Sequence, residues 1–324
     1  MKLQQLRFLI AVVQNDLNIT AAADHLFTSQ PGVSKQIRLL EKELGVQIFE
    51  RAGRHLTSIT PAGKIIIQRA EAALHEVNSI REAARELSNP RRGSLSIATT
   101  HTQAHYVLPQ AIRSFRERYP HVDLQMHQGN SEQISEMAAR GTVDFAIATQ
   151  STADFGHLIT MPCYHWNRTI IVPRDHPLHH ALPLTLESIA SYPIVTYVLG
   201  FAGRSQMDAA FNEHDLKPNV VFTATDADVI KTYVELGLGV GIIAHMAFDK
   251  EEDKALCNLD ARHLFPDCTA RLGFRPGIFL RSFHYEFIEL FASHLSREVV
   301  DATVAATSEQ ERAALFRHIE LPTL

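Results

Sequence analysis

The chain has 324 residues, 45% hydrophobic and 21% charged, a balance that supports more than one buried core and excludes a disordered polymer. A net charge of −5 excludes a uniformly basic nucleic-acid binder, and no run reaches the roughly 20 apolar residues of a membrane span. Cys163, Cys257 and Cys268 form no CxxC, and "FLIAVV" near the N-terminus is too short for a signal peptide, so a reducing, cytoplasmic setting is expected.

The charge is unevenly placed. Residues 1–90 carry 11 Lys/Arg against 9 Asp/Glu, net +2, and the remainder 20 against 27, net −7. Within 28–69 the count is 7 basic against 3 acidic. A small basic module on an acidic body is a composition expected of a DNA-binding regulator, although chance clustering gives the same counts.

In chain order, Leu3, Leu6, Ile10 and Val13 mark a first helix by their spacing. Asn18 caps a short second helix, "ITAAADHLF", whose alanines permit close approach of a neighbour. Pro31 follows a polar turn and suits the first turn of a third helix, which Gly45 ends. Val33, Ile37, Leu40 and Leu44 form its apolar face; Ser34, Lys35, Arg38 and Lys42 lie opposite. "VQIFER" and "LTSIT" then read as a hairpin. Three helices and a hairpin in about 60 residues predict a winged helix-turn-helix. The duplex major groove accepts one helix by its N-terminal part, so Thr28, Ser29, Gln30, Pro31, Ser34, Lys35 and Arg38 are the candidate DNA contacts. Arg51 and Arg54 in the wing are placed to reach a neighbouring minor groove. The alternative is a merely solvated helix face.

Pro61 starts a long helix to about Leu87. Ile66, Ala70, Ala73, Val77, Ile80, Ala84 and Leu87 alternate steps of four and three, a heptad seam that predicts pairing with a second helix. A helix lying on its own domain would show the same pattern. "SNPRRG" breaks it as a hinge. The remainder reads β-α-β-α-β twice, which predicts two α/β lobes with a small ligand between them. Expected boundaries are 1–60 for the winged helix-turn-helix, 61–87 for the linker helix and 88–92 for the hinge. Residues 93–164 with 268–324 form one effector lobe, and 165–267 the other.

The first strand of that region, "SLSIAT", runs into Thr99, Thr100, His101, Thr102 and Gln103. Side chains at the carboxyl end of such a strand face the crevice, where neutral donors and a helix start suit a small anion. "FAIATQ" brings Thr149 to the same edge. On this reading the site binds an anion or acyl amino acid without requiring a lysine or arginine. The competing reading is a simple helix cap. His101 and His105 are four apart, but no third metal ligand is evident.

"TAAADHLFTSQPGVSKQIRLLEKELGVQIFERAGRHLTSITPAGK" resembles the DNA-binding end of LysR-type transcriptional regulators. "GSLSIATTHTQAHYVLP", "PCYHWNRTIIVPRDHPL" and "FTATDADVIKTYVELGLGVGIIA" extend the likeness over nearly the whole chain, toward the family's sulfur-assimilation members. The resemblance implies a two-lobed, periplasmic-binding-protein-like effector domain. It also implies an activator that binds double-stranded promoter DNA as a homotetramer of dimers and works with RNA polymerase. The implied effector is N-acetylserine, formed from O-acetylserine, opposed by sulfide or thiosulfate; a sulfonate-starvation role answering to adenosine phosphosulfate is the alternative. Positions matching Thr100, Thr102, Gln103 and Thr149 contact the anion in such proteins, and Trp166, where the chain crosses between lobes, is carried over as a cleft residue. This chain reads "GFAGRS" where they read "GFTGRS", so Ala202 lacks a cleft hydroxyl. No cofactor or metal is implied. An enzyme is the rival class, but no GxSxG or GxxxxGK[ST] is present. A DNA-independent small-anion binding protein is the other.

Overall fold

The computed structural model describes every residue except Arg54, 150–154, 181–182 and Ala202. The chain divides into two compact units, Met1–Leu87 with Gly277–Phe279, and Ser88–Pro276 with Leu280–Leu324.

In the first unit, α1 (Leu3–Gln14), α2 (Ile19–His25) and α3 (Gln30–Leu44) enclose Leu9, Val12, Ala22, Val33, Ile37 and Leu40, all essentially inaccessible to solvent. Asn18 caps α2 by accepting from the Thr20 and Ala21 amides at 3.0 and 3.1 Å. Gly45 ends α3 in the left-handed region, φ +70°. The wing is an antiparallel hairpin of β1 (Phe49–Ala52) and β2 (His55–Ile59). The long α4 (Pro61–Ser88) leaves from its base. Gly63 lies against the strand there, and a Cβ on it would stand 2.1 Å from the Ile48 carbonyl oxygen.

The heptad seam of α4 serves two ends. Ile66 and Ala70 pack into the helix's own domain core, beside Ile67 and Leu74. Beyond them the seam opens: Val77 is half-buried, Ala73 and Ala84 are exposed, Ile80 is 63% exposed and Leu87 90%. Only the distal part of the stripe is therefore available to a second helix.

The second unit begins with β3 (Gly93–Thr99), α5 (His101–Tyr106), α6 (Leu108–Arg118), β4 (Val122–Gln128), α7 (Ser131–Ala139), β5 (Phe145–Thr149) and β6 (Ile159–Trp166). The helical stretch after β3 breaks at Val107, because Pro109 cannot supply the N–H that would continue α5. The chain next forms β7 (Arg168–Pro173), α8 (Leu186–Ala190), β8 (Ile194–Tyr197), α9 (Arg204–Glu213), β9 (Val220–Ala224), α10 (Ala227–Glu235), β10 (Val240–Ala244) and β11 (Leu256–Asp260). It returns through β12 (Cys268–Phe274) and closes with α11 (Ser282–Phe291), α12 (Arg297–Ala305) and α13 (Glu309–Phe316).

Two five-stranded sheets result, ordered β4-β3-β5-β12-β6 and β9-β8-β10-β7-β11. The orders are equivalent: in each, the first strand of the unit pairs in parallel with the second on one side and the third on the other. The repeat seen as β-α-β-α-β is thus a repeat of topology. The chain crosses between sheets at Asn167, after Trp166 has paired with Cys268 in the first sheet, two residues beyond the expected 164/165 boundary. Asn167 Nδ2 donates to the Arg262 and Phe265 carbonyls and to Asp267 Oδ1 at 3.3, 3.2 and 2.9 Å, tying the outgoing crossing to the returning one.

Candidate functional site

Two surfaces carry the candidate residues. On the N-terminal unit, Thr28, Ser29, Gln30, Pro31, Lys35 and Arg38 are exposed and Ser34 half-buried, along the outer side of α3. Gln30, Pro31, Ser34, Lys35 and Arg38 line one groove with Leu39 and Lys42. The inner side of the same helix is the core face, so its amphipathic spacing settles which side is free. Arg51 differs. Its Nη2 donates to Glu41 Oε2 at 2.6 Å, while Glu41 Oε1 accepts from the buried Ile48 and Phe49 amides at 2.9 and 3.2 Å. Arg51 therefore holds the wing on α3 through this pair. Arg54, the other wing arginine, lies outside the described residues. Sequence reasoning missed Phe27, which is 98% exposed in the turn before α3.

The second surface is the cleft of the C-terminal unit, at the carboxyl ends of β3, β5 and β8. In a 2-1-3 sheet, neighbouring crossovers leave the first strand toward opposite faces, which opens a crevice at its carboxyl end. Thr99 is spent internally, donating to the Ile147 carbonyl at 2.9 Å. Thr100 is the N-cap of α5, yet its side chain makes no capping hydrogen bond. Thr100, Thr102 and Gln103 are buried at 6, 4 and 2% exposure, so the polar run is neither a surface cap nor a solvated turn. Gln103 Oε1 is buried without a partner. Thr149 Oγ1 accepts from Trp166 Nε1 at 2.8 Å, which leaves its own proton free to donate. Trp166 is buried and gives the cleft an apolar wall. Ala202 lies outside the described residues.

The other lobe contributes residues that the sequence reading did not single out. Tyr197, at the end of β8, accepts from the Ala244 amide at 3.3 Å. Burial pushes its hydroxyl up to about 12 against that amide, Thr102 of the opposite lobe and the positive charge of Arg168. Arg168, the first residue of β7, is 3% exposed. Its guanidinium lies 5.5 Å from the ring centres of both Trp166 and Phe265. A buried guanidinium thus stands beside the tryptophan, at a site read from the sequence as requiring no lysine or arginine. The available signal was "WNR" itself, an arginine two residues from the only tryptophan, directly at the crossing.

A latch joins the lobes at the rim. Tyr106 Oη donates to Asp228 Oδ1 at 2.7 Å, and Lys231 Nζ lies 3.3 Å from the same oxygen. His105 Nδ1 lies 3.6 Å from Asp228 Oδ2. Tyr106 is pushed up by burial and by that hydrogen bond, while Asp228, raised by burial, is held below its ordinary value by Tyr106 and Lys231. The donor atoms of His101, His105 and Asp228 all fall within 4.8 Å of one another, so folding supplies the third group that the spacing lacked. Tyr106 and the Lys231 ammonium already occupy that carboxylate, which disfavours a cation there.

The bacterial regulatory helix-turn-helix model of the lysR family matches residues 3–64, and the LysR substrate-binding domain model matches 88–296. The chain belongs to the LysR family. It is therefore a LysR-type, DNA-binding transcriptional regulator, and its relatives are regulators rather than enzymes. It is 49% identical over 323 residues to the transcriptional regulator CysB of Haemophilus influenzae, covering 100% of both chains. It is 48% identical over 296 residues to the regulator SsuR of Burkholderia cenocepacia, covering 91% of this chain and 96% of that one. Among solved structures, the cofactor-binding domain of the Cbl regulator superposes with a TM-score of 0.64 at 42% identity, over 67% of this chain and 95% of that domain. Among the described residues, no helix is long and apolar enough to cross a membrane.

Proposed function

We propose that this LysR-type regulator controls sulfur-acquisition genes from the cytoplasm, reading promoter DNA with α3 and a small effector in the cleft. The observation that carries the reading is the array of buried Thr100, Thr102 and Gln103 with half-buried Thr149 in a chain 49% identical, end to end, to a CysB regulator. Buried donors that do not cap a helix need another acceptor, and a carboxylate, sulfate or acyl group supplies one. The effector is N-acetylserine or O-acetylserine, opposed by sulfide or thiosulfate, with a sulfate-like anion able to enter the cleft. Two chains pair along the distal seam of α4, and dimers assemble into a homotetramer that engages RNA polymerase. The second reading is a sulfonate- or sulfate-starvation regulator answering to adenosine phosphosulfate.

The test is retardation of a cysteine-biosynthesis promoter by the full chain. Arg38→Ala should weaken binding about tenfold and lower the salt slope by about 1, because one phosphate contact is lost. An unchanged footprint and slope would refute the α3 face. Thr102→Ala should leave effector-free DNA affinity intact and shift the N-acetylserine dose-response; a normal curve would count against the cleft. Calorimetry with N-acetylserine and adenosine phosphosulfate separates the two readings.

A further inference from the structure

Among the described residues, Arg168 is a buried cation without a counter-charge. Its Nη2 donates to the Gly203 carbonyl at 2.7 Å and lies 3.4 Å from Gln206 Oε1, both neutral acceptors. Its Nη1 is buried and has no hydrogen-bond partner. Among the described residues no carboxylate pairs with it. Asp267, beside the returning strand, spends Oδ1 on Asn167 instead. Cys268 touches the guanidinium, but burial pushes that thiol up despite the arginine, so it stays neutral at physiological pH. Taking a charge out of water without pairing it is among the costliest arrangements a fold can hold. A fold keeps one where a ligand supplies the missing sign.

The surroundings hold the guanidinium in place. Gly203, at φ +65°, leaves room that a side chain would remove: a Cβ there would stand 2.5 Å from Arg168 Nη2. Trp166 and Phe265 present ring faces at 5.5 Å. Trp166 also bonds Thr149, and the Tyr197 hydroxyl feels both Thr102 and the charge of Arg168. The guanidinium therefore adjoins the neutral donors of the opposite lobe. Gln103 Oε1 is a second buried atom of this cleft left without a partner.

We propose that Arg168 is the charge-reading residue of the effector cleft, and that the effector is a small organic anion whose negative charge this guanidinium neutralises. The inference rests on the cleft being the effector site. Neutral donors alone accept an acid and its ester with similar ease, whereas a buried unpaired cation discriminates between them. Because Arg168 follows the Asn167 crossing, the anion's charge is felt where the two lobes join.

Calorimetry on the full chain tests this with N-acetylserine, its uncharged methyl ester, and sulfate. The wild type should bind the acid about tenfold or more tightly than the ester. Arg168→Met should bring the two within about twofold and abolish the rise in Tm that sulfate gives the wild type. Thr102→Ala should weaken acid and ester alike and preserve their ratio, the result that separates charge reading from hydrogen bonding. If Arg168→Met does not fold, Arg168→Gln keeps a donor toward Gly203 without charge and should give the same loss of preference. An Arg168 variant that folds and retains the full preference for the acid overturns the proposal. So does a wild type that binds acid and ester equally, which leaves the effector cleft itself standing. A wild type that binds none of the three probes removes the cleft reading and this inference together.

Discussion

Glu41→Ala is expected to destabilise the N-terminal unit by roughly 3–5 kcal/mol, the cost of breaking a buried, hydrogen-bonded ion pair. Glu41 is 7% exposed and works as a hub. One oxygen accepts from the Ile48 and Phe49 amides at the start of the wing, and the other from Arg51. Alanine leaves two buried N–H groups and a guanidinium without an acceptor, and each unmet group carries its full desolvation penalty. The wing would detach from α3, and promoter binding would fall with it. Because the chain forms two compact units, thermal unfolding followed by circular dichroism should show the transition of the N-terminal unit at lower temperature and the other little changed. Glu41→Gln should fall between, since it keeps an acceptor for an amide but not the charge facing Arg51. Unaltered unfolding of Glu41→Ala would show that water replaces the carboxylate at no cost.

Ile80→Asp is expected to raise the dissociation constant of the dimer about 100-fold or more, equivalent to about 2.7 kcal/mol. Ile80 is 63% exposed and Leu87 90%, along a helix whose proximal positions Ile66, Ile67, Ala70 and Leu74 already serve its own core. In a symmetric pair two aspartates would meet near the same dry seam, and each would need water that the seam excludes. Sedimentation should show a lower mass at micromolar concentration, with promoter affinity reduced because each half-site is then bound singly. An unchanged mass would mean that the seam is solvated and assembly uses another face.

The winged helix-turn-helix and the doubled α/β unit were legible because both follow from local periodicity. Val33, Ile37 and Leu40 sit on one side of α3, and nothing in the fold contradicts them. Glu41 was legible in principle as well, being four residues from Ile37 and three from Leu44, on the buried side. A charge at such a position signals a buried partner, but that partner, Arg51, lies across a turn and a strand. The break at Val107 escaped because helix spacing continues through it.

The candidate cleft divides along the same line. The amino-acid sequence by itself determined the strand-to-helix edge, its run of threonines, and Thr149 at the end of the third strand of the unit. These depend on period-two and period-3.6 patterns within about fifty residues, which need no knowledge of the other lobe. Only the tertiary structure decided that Thr100 and Thr102 are buried, that Tyr197 lies near Thr102, that Asp228 meets His105, and that an arginine stands there without a counter-charge among the described residues. The separations run from 35 residues, between Arg168 and Gly203, to 123, between His105 and Asp228. No periodicity spans such distances. Whether a charge is paired depends on which strands the sheet order makes neighbours, and that order is set by packing two cores at once.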